Sequence, residues 1–143
     1  MAPNLASFNA HTTAFLALLP AFVGDGEKPA GKGWQGVPGS SSFEGYGICY
    51  PISSSFDGSI AEGQDDAELT WQVTCVGATR AQAEAVTDLV VDAAVGAQLT
   101  VTGRATTHVE LQSGSAGCSR QENEQQPPLW MSTPRFTVTS TPA

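Results

Sequence analysis

Residues 67–96 read AELTWQVTCVGATRAQAEAVTDLVVDAAVG and contain a strand signal followed directly by a helix signal. Apolar and polar residues alternate from Ala67 to Gly77, which is the period of a strand with one buried face. The apolar row is Leu69, Trp71, Val73 and Cys75, and the polar row is Glu68, Thr70, Gln72 and Thr74. The alternation predicts a half-buried strand in the middle of the chain.

A helix is predicted to follow this strand almost at once. Thr79 and Gln82 form a T-x-x-Q capping box, in which each side chain satisfies a backbone donor near the other. Gly96 is well placed as the C-terminal stop. The expected inward face consists of Ala83, Val86, Leu89, Val90 and Ala93.

The outer face of this predicted helix is acidic, because Glu84, Asp88 and Asp92 follow one another at spacings of four. Like charges at that spacing destabilise a helix by a few tenths of a kcal/mol, roughly, per pair. Two interpretations stay open, namely a solvated acidic face or a surface kept negative for a purpose. Together with Asp65 and Asp66, these carboxylates are candidates for the lining of an acidic passage.

A first helix is predicted from Asn4, a suitable N-cap, to Pro20, whose ring removes a donor and ends or kinks a helix. Spacings of three and four form one apolar stripe along it. The stripe consists of Leu5, Phe8, Thr12, Phe15, Leu16, Leu19 and Phe22.

The remaining strand signals complete an α+β domain. They are residues 46–52 (YGICYPI), 99–101, 105–111 and 135–141 (RFTVTST), and Pro51 suggests that the first runs near a sheet edge. Long polar loops are predicted at residues 24–45, 53–66 and 113–128. We expect a single domain over residues 1–143, in the order α-β-β-α-β-β, with two helices on one face of a mixed or antiparallel sheet.

Composition narrows the function classes. The chain is 41% hydrophobic but only 14% charged, against about 25% in typical soluble proteins. This shortage of charge favours an oligomer over the alternative, a neutral surface rich in Thr, Ser, Gln and Gly. A net charge of −8 argues against DNA binding by counterion release. The chain has no apolar run long enough to span a membrane and no basic start typical of a secretory signal.

Signals for catalysis are weak. Residues 26–32 match G-x-x-x-x-G-K, but Gly33 stands where a phosphate loop needs Ser or Thr. His11 and His108 belong to no metal-binding motif, and the three cysteines lack C-x-x-C spacing. A Ser-His-Asp triad cannot be dismissed from sequence alone, yet there is no nucleophile elbow. We therefore expect no catalytic, metal or cofactor site.

Subunit contacts are the more plausible use of the surface. Trp34 and Trp130 stand beside Gly or Pro in predicted loops, where a large ring is unusual unless something covers it. Ordinary anchoring of the loops is the alternative. Val91 and Val95 interrupt the acidic helix face and favour contact with another subunit.

Several of these segments together resemble the tail terminator proteins of siphophages that infect actinobacteria. The resemblance covers nearly the whole chain, and its most specific parts are AELTWQVTCVGATRAQAE at residues 67–84 and the ending PPLW…RFTV at residues 127–138. Residues 24–45 depart from the family pattern, because they are longer and richer in glycine.

The resemblance implies a hexameric ring that caps the phage tail tube and ends its polymerisation. Such a ring contacts the tail tube protein and the head-completion proteins of the neck, and DNA passes through it without specific binding. The chain would then be made in the cytoplasm of the host bacterium and would work in the virion. Two alternatives stay open: a head-closure or tail tube subunit, and a small binding module unrelated to phage.

Overall fold

The computed structural model describes residues 7–57, 66–122 and 127–143. Within these ranges it contains two helices, α1 (Phe8–Leu18) and α2 (Arg80–Ala94). The strands there are β1 (Val23–Asp25), β2 (Gly33–Trp34), β3 (Phe43–Glu44), β4 (Tyr46–Asp57), β5 (Asp66–Gly77), β6 (Arg104–Thr106), β7 (Glu110–Leu111), β8 (Cys118–Gln121), β9 (Leu129–Ser132) and β10 (Arg135–Pro142).

The main sheet is mixed, as predicted, and the fold is α+β. The central strand order is β1-β4-β5-β10-β6. In addition, β7 pairs with β10, and β9 pairs with both β5 and β8. The β1–β4 pair is parallel and the other pairs are antiparallel. Strands β2 and β3 form a separate small hairpin.

The β4–β5 hairpin is the longest strand pair of the sheet. Its register runs from Tyr46 opposite Val76 to Asp57 opposite Asp66, with an irregularity between Pro51 and Ser53. Because β1 pairs only with residues 47–49, Pro51 lies on a stretch of β4 that β1 leaves uncovered, which agrees with the predicted edge position. The predicted loop at 53–66 is too long, since both strands extend into it; residues 58–65 lie outside the described residues.

Several connecting segments contain strands that the predicted order α-β-β-α-β-β omits. The predicted loop at 24–45 includes β2 and β3 and overlaps the end of β1, and the predicted loop at 113–128 includes β8. Residues 99–101, predicted as a strand, lie outside the named strands, although Leu99 and Val101 are buried. The missed strands span two to four residues each. Such short strands carry no readable alternation and depend on the strand beside them.

Helix α1 begins later than predicted. Ser7 is the N-cap residue, and its side chain accepts a hydrogen bond from the backbone N–H of Ala10. Asn4 and Leu5, which were assigned to the helix, lie outside the described residues. The helix ends at Leu18, and Pro20 follows shortly after, as its missing N–H requires.

Helix α2 begins and ends as predicted. Thr79 accepts from the backbone N–H of Gln82, while the Gln82 side chain accepts from Ala78 N. Gly96 has a φ of 84°, the left-handed conformation expected after a helix end. The inward face is only partly as predicted: the buried residues are Ala83, Val86, Val90 and Ala94. Leu89 is instead 55% exposed.

Both helices pack on the same face of β5. Phe15 of α1 stacks on Trp71, and Val86, Val90 and Ala94 of α2 belong to the same core cluster as Trp71 and Cys75. Trp71 and Cys75 belong to the same row of alternating side chains on β5. Gly77 allows the strand to turn closely into α2, since a Cβ there would lie 2.4 Å from the backbone nitrogen of Ala83. The core therefore lies between two helices and one side of the sheet.

Candidate functional site

The acidic face of α2 is on the protein surface. Glu84, Asp88 and Asp92 are all exposed, and Glu84 forms an ion pair with Arg80. Asp66 is exposed at the start of β5, whereas α2 follows the end of that strand. Asp66 and α2 are therefore joined to opposite ends of β5. Asp65 lies outside the described residues. Whether these carboxylates line a passage stays a prediction.

Apolar side chains are exposed on the same helix as these carboxylates and at its C-terminal end. Leu89 is 55% exposed and Val95 is 42% exposed. Val91, by contrast, is partly buried against the core of its own subunit. The outer surface of α2 thus carries both carboxylates and exposed apolar side chains.

A cleft of about 200 Å³ opens beside the first half of α2. On the helix side it is lined by Glu84, Thr87 and Asp88. The opposite side is formed by the segment before β8 and by the end of β9, with Ala116, Gly117, Cys118 and Ser132. Sequence reasoning missed this cleft because residues from three distant segments form it.

A second group of exposed apolar residues lies at the start of α1. Phe8 is 51% exposed and Ile52 is 40% exposed. Both line a cleft of about 480 Å³ between α1 and the β4–β5 hairpin. Tyr50, on the same strand as Ile52, is 40% exposed as well. This side of the hairpin therefore presents exposed apolar side chains.

The two tryptophans that were interface candidates are half-buried. Trp34 lies on β2, and its ring centroid is 5.1 Å from that of Phe43 in an edge-to-face contact, which anchors the small hairpin. Trp130 was expected in a loop but lies on β9, opposite Gly77 of β5 and Arg120 of β8. Contacts within the subunit thus bury part of the surface of each tryptophan. That the remaining exposed part contacts another subunit stays a prediction.

A buried polar network joins α1 to the sheet. His11 and Ser140 are both fully buried, and His11 Nε2 lies 2.7 Å from the Ser140 hydroxyl. His11 Nδ1 lies 2.7 Å from the Ser7 carbonyl oxygen, which can only accept, so Nδ1 carries the hydrogen. In the neutral ring Nε2 then accepts from Ser140, whose oxygen accepts from Arg104 Nε at 3.0 Å.

This Ser–His contact resembles half of a catalytic pair, but its surroundings oppose that use. Ser140 has no exposed surface, so no substrate can reach its oxygen in this conformation. The Arg104 guanidinium also donates to the same oxygen and to the Ser140 carbonyl, at 2.9 Å for the latter. The arrangement is consistent with a structural role, in which buried hydrogen bonds join α1 to β6 and β10.

The segment that mimics a phosphate loop has the wrong structure for one. Lys28 Nζ donates to the Lys32 carbonyl, and Gly33 begins β2 instead of preceding a helix. A phosphate loop depends on the N–H groups of a helix N-terminus, so the match is accidental. Among the described residues, no three His, Cys, Asp or Glu side chains lie together in a way that could hold a metal ion. None of the helices found there is long and apolar enough to cross a membrane.

The cysteines differ sharply in their surroundings. Burial raises the pKa of both Cys49 and Cys75 to about 12. Cys118 is partly exposed in the cleft beside α2, and there partial burial and then the Glu84 carboxylate raise its pKa. Cys118 is thus the most accessible of the three thiols.

We expect one thiol of the native protein to react with a water-soluble disulfide reagent and all three to react after unfolding. The reaction of Cys118 should accelerate steeply from about pH 7 to about pH 9, because the thiolate is the nucleophile. Spectrophotometric titration of released thiolate measures this. Cys118→Ser should abolish the native reaction, and a native rate unchanged in that variant would contradict the assignment.

Comparison with known proteins identifies the fold but not a family. No protein-family model and no curated protein sequence matches the chain. Among solved structures, it is similar to a chain of the particle described as "Virion of native gene transfer agent (GTA) particle", with a TM-score of 0.54 and 17% identity. The match covers 89% of this chain and 84% of that chain. What this chain shares with a protein of that virion is therefore its fold.

Proposed function

We propose that the chain is a structural protein of a phage virion and, more specifically, a tail terminator. In this proposal about six copies form a ring on the end of the tail tube, stop its growth and join it to the head-completion proteins. The observation that carries the proposal is the shared fold with a gene transfer agent virion protein over 89% of the chain. The sequence resemblance to tail terminators supplies the finer assignment.

Surface properties support an assembled working state. Exposed apolar side chains occur on α1, on β4 and on α2, where Phe8, Ile52 and Leu89 are each at least 40% exposed. A monomer would leave these surfaces in water, whereas a ring can bury them between copies. The net charge of −8 supports passage of DNA without adhesion.

A structural role is also more consistent with the chemistry of the described residues than an enzymatic one. The Ser140–His11 contact is sealed inside the core and shared with Arg104. The thiols of Cys49 and Cys75 are buried, with pKa values raised to about 12, which keeps them protonated at neutral pH. Neither feature offers an activated nucleophile to a substrate.

The alternative assignments predict different defects when the gene is interrupted by an early stop codon. Loss of a tail terminator should give tails of uncontrolled length that fail to join heads. Loss of a tube subunit should give no tubes at all, and loss of a head-closure protein should leave tails of normal length beside unjoined heads. Electron microscopy of the lysate distinguishes the three, and complementation with the intact gene is the control.

Only the first defect agrees with the proposal. Normal particles from the interrupted gene would exclude a role in assembly altogether. A reconstruction of the intact particle gives an independent check, since about six copies should lie in one ring where the tail meets the neck.

A further inference from the structure

The cleft beside α2 has the charge of a site for a cation. Glu84 and Asp88 lie one helical turn apart on its helix side. Arg80 pairs with Glu84, but both side chains are about half exposed or more, so water competes with this contact. Within the ranges that the structure describes, Asp88 belongs to no ion pair. The cleft therefore contains one carboxylate that its own subunit leaves without a cation.

An unpartnered buried hydroxyl faces the same cleft. Ser132 is only 3% exposed, and it lines the cleft opposite Asp88. In the described part of the chain its hydroxyl makes no hydrogen bond to another protein group, whereas the hydroxyl of neighbouring Thr87 donates to the Ala83 carbonyl. Buried polar groups are nearly always paired, because an unpaired one loses its hydration without compensation. A donor that enters the cleft would satisfy Ser132.

We propose that this cleft binds a cationic side chain, foremost an arginine, presented by a partner protein. A guanidinium carries five N–H donors in one plane, so it can reach a carboxylate and a hydroxyl at the same time. The volume of about 200 Å³ accepts the end of one such side chain but not a larger ligand.

This inference goes beyond the proposed function and does not depend on it. It assigns Glu84 and Asp88 to a contact with protein, not to the lining of a DNA passage. Asp92 is one turn further along α2 and does not line the cleft, so it serves as a matched control on the same helix.

The direct test is a titration of the isolated, isotope-labelled chain with N-acetyl-argininamide, followed by backbone amide NMR. We expect saturable shifts centred on Asp88, Cys118 and Ser132, with a dissociation constant on the order of 1–10 mM, as suits a single side chain. Asp88→Asn should weaken binding at least about fivefold, and Ser132→Ala about two- to fivefold. Arg80→Gln should tighten binding, because it removes the internal competitor for Glu84.

Two controls make the result specific. Asp92→Asn should bind the probe as the original chain does, and the neutral N-acetyl-glutaminamide should give no saturable shifts. Ser132→Ala should retain the melting temperature or raise it, because the variant removes an unpaired hydroxyl; a purely structural serine would lower it. Equal responses to the charged and neutral probes, or equal binding by the Asp88→Asn and Asp92→Asn variants, would overturn the proposal.

The same variants identify the partner in the virion. If Asp88→Asn prevents ring formation, the arginine belongs to a second copy of this chain. If rings form but do not join a neighbouring protein, the arginine belongs to that neighbour. The titration of the isolated chain does not depend on ring formation. Failure of the ring proposal and failure of the cleft proposal are therefore distinguishable.

Discussion

Replacing Phe15 with alanine is expected to lower the free energy of unfolding by about 3–5 kcal/mol. Phe15 is fully buried, and its ring stacks on Trp71 with centroids 4.5 Å apart and an interplanar angle of 7°. Its centroid also lies 5.7 Å from that of Phe136 on β10. Truncation therefore leaves a cavity between α1 and the two central strands, and it removes the main apolar contact that attaches the helix.

Urea denaturation followed by circular dichroism measures this loss, at one fixed protein concentration. Phe8→Ala is the matched control, because Phe8 is on the same helix and is 51% exposed. It should cost less than about 2 kcal/mol, since about half of its surface stays in water in the folded state. Similar losses from the two variants would show that α1 is not held by the Phe15 stack.

The difference between these two phenylalanines was only partly predictable from sequence. The stripe at spacings of three and four identifies both as apolar positions on one helix face. It does not say where the partner surface ends, and Phe8, at the first turn of the helix, is 51% exposed. Periodicity thus identifies the helix and its side, while the extent of burial depends on what packs opposite.

Leu89 on α2 likewise shows that periodicity does not reveal how far burial extends. The buried residues Ala83, Val86, Val90 and Ala94 form a narrow stripe at spacings of three and four. Leu89 is one residue before Val90, which rotates it about 100° away from that stripe. A sequence that is apolar on two adjacent sides cannot reveal which side meets the sheet. Leu89 therefore lies on an exposed side of α2, away from the stripe that meets the sheet.

Local chemistry explains what was predicted correctly. The alternation through β5, the Thr79 cap and the Gly96 stop each depend on residues a few positions apart. The small strands β2, β3 and β8 span only two to four residues each, so they carry no alternation that would distinguish them from loops. The cleft and the buried network are missed because their residues are far apart in the chain: Ser140 is 129 positions from His11.

That buried network gives the second large expected effect: Ser140→Ala should lower the free energy of unfolding by about 2–4 kcal/mol. The Ser140 hydroxyl hydrogen-bonds His11 Nε2 and accepts from Arg104 Nε, so its removal takes one hydrogen bond from each of two buried side chains. Arg104 keeps its bond to the Ser140 carbonyl, which is why the expected loss is smaller than that of removing the whole network.

Thr139→Ala is the matched control, because Thr139 is the exposed neighbour on the same strand and should cost less than about 1 kcal/mol. A double-mutant cycle with His11→Phe tests the mechanism. Once His11 has lost its polar ring, Ser140→Ala has one fewer group to leave unpaired, so the two losses should be non-additive by about 1 kcal/mol or more. Additive losses would mean that His11 and Ser140 stabilise the chain independently, and that α1 is attached to β10 through packing alone.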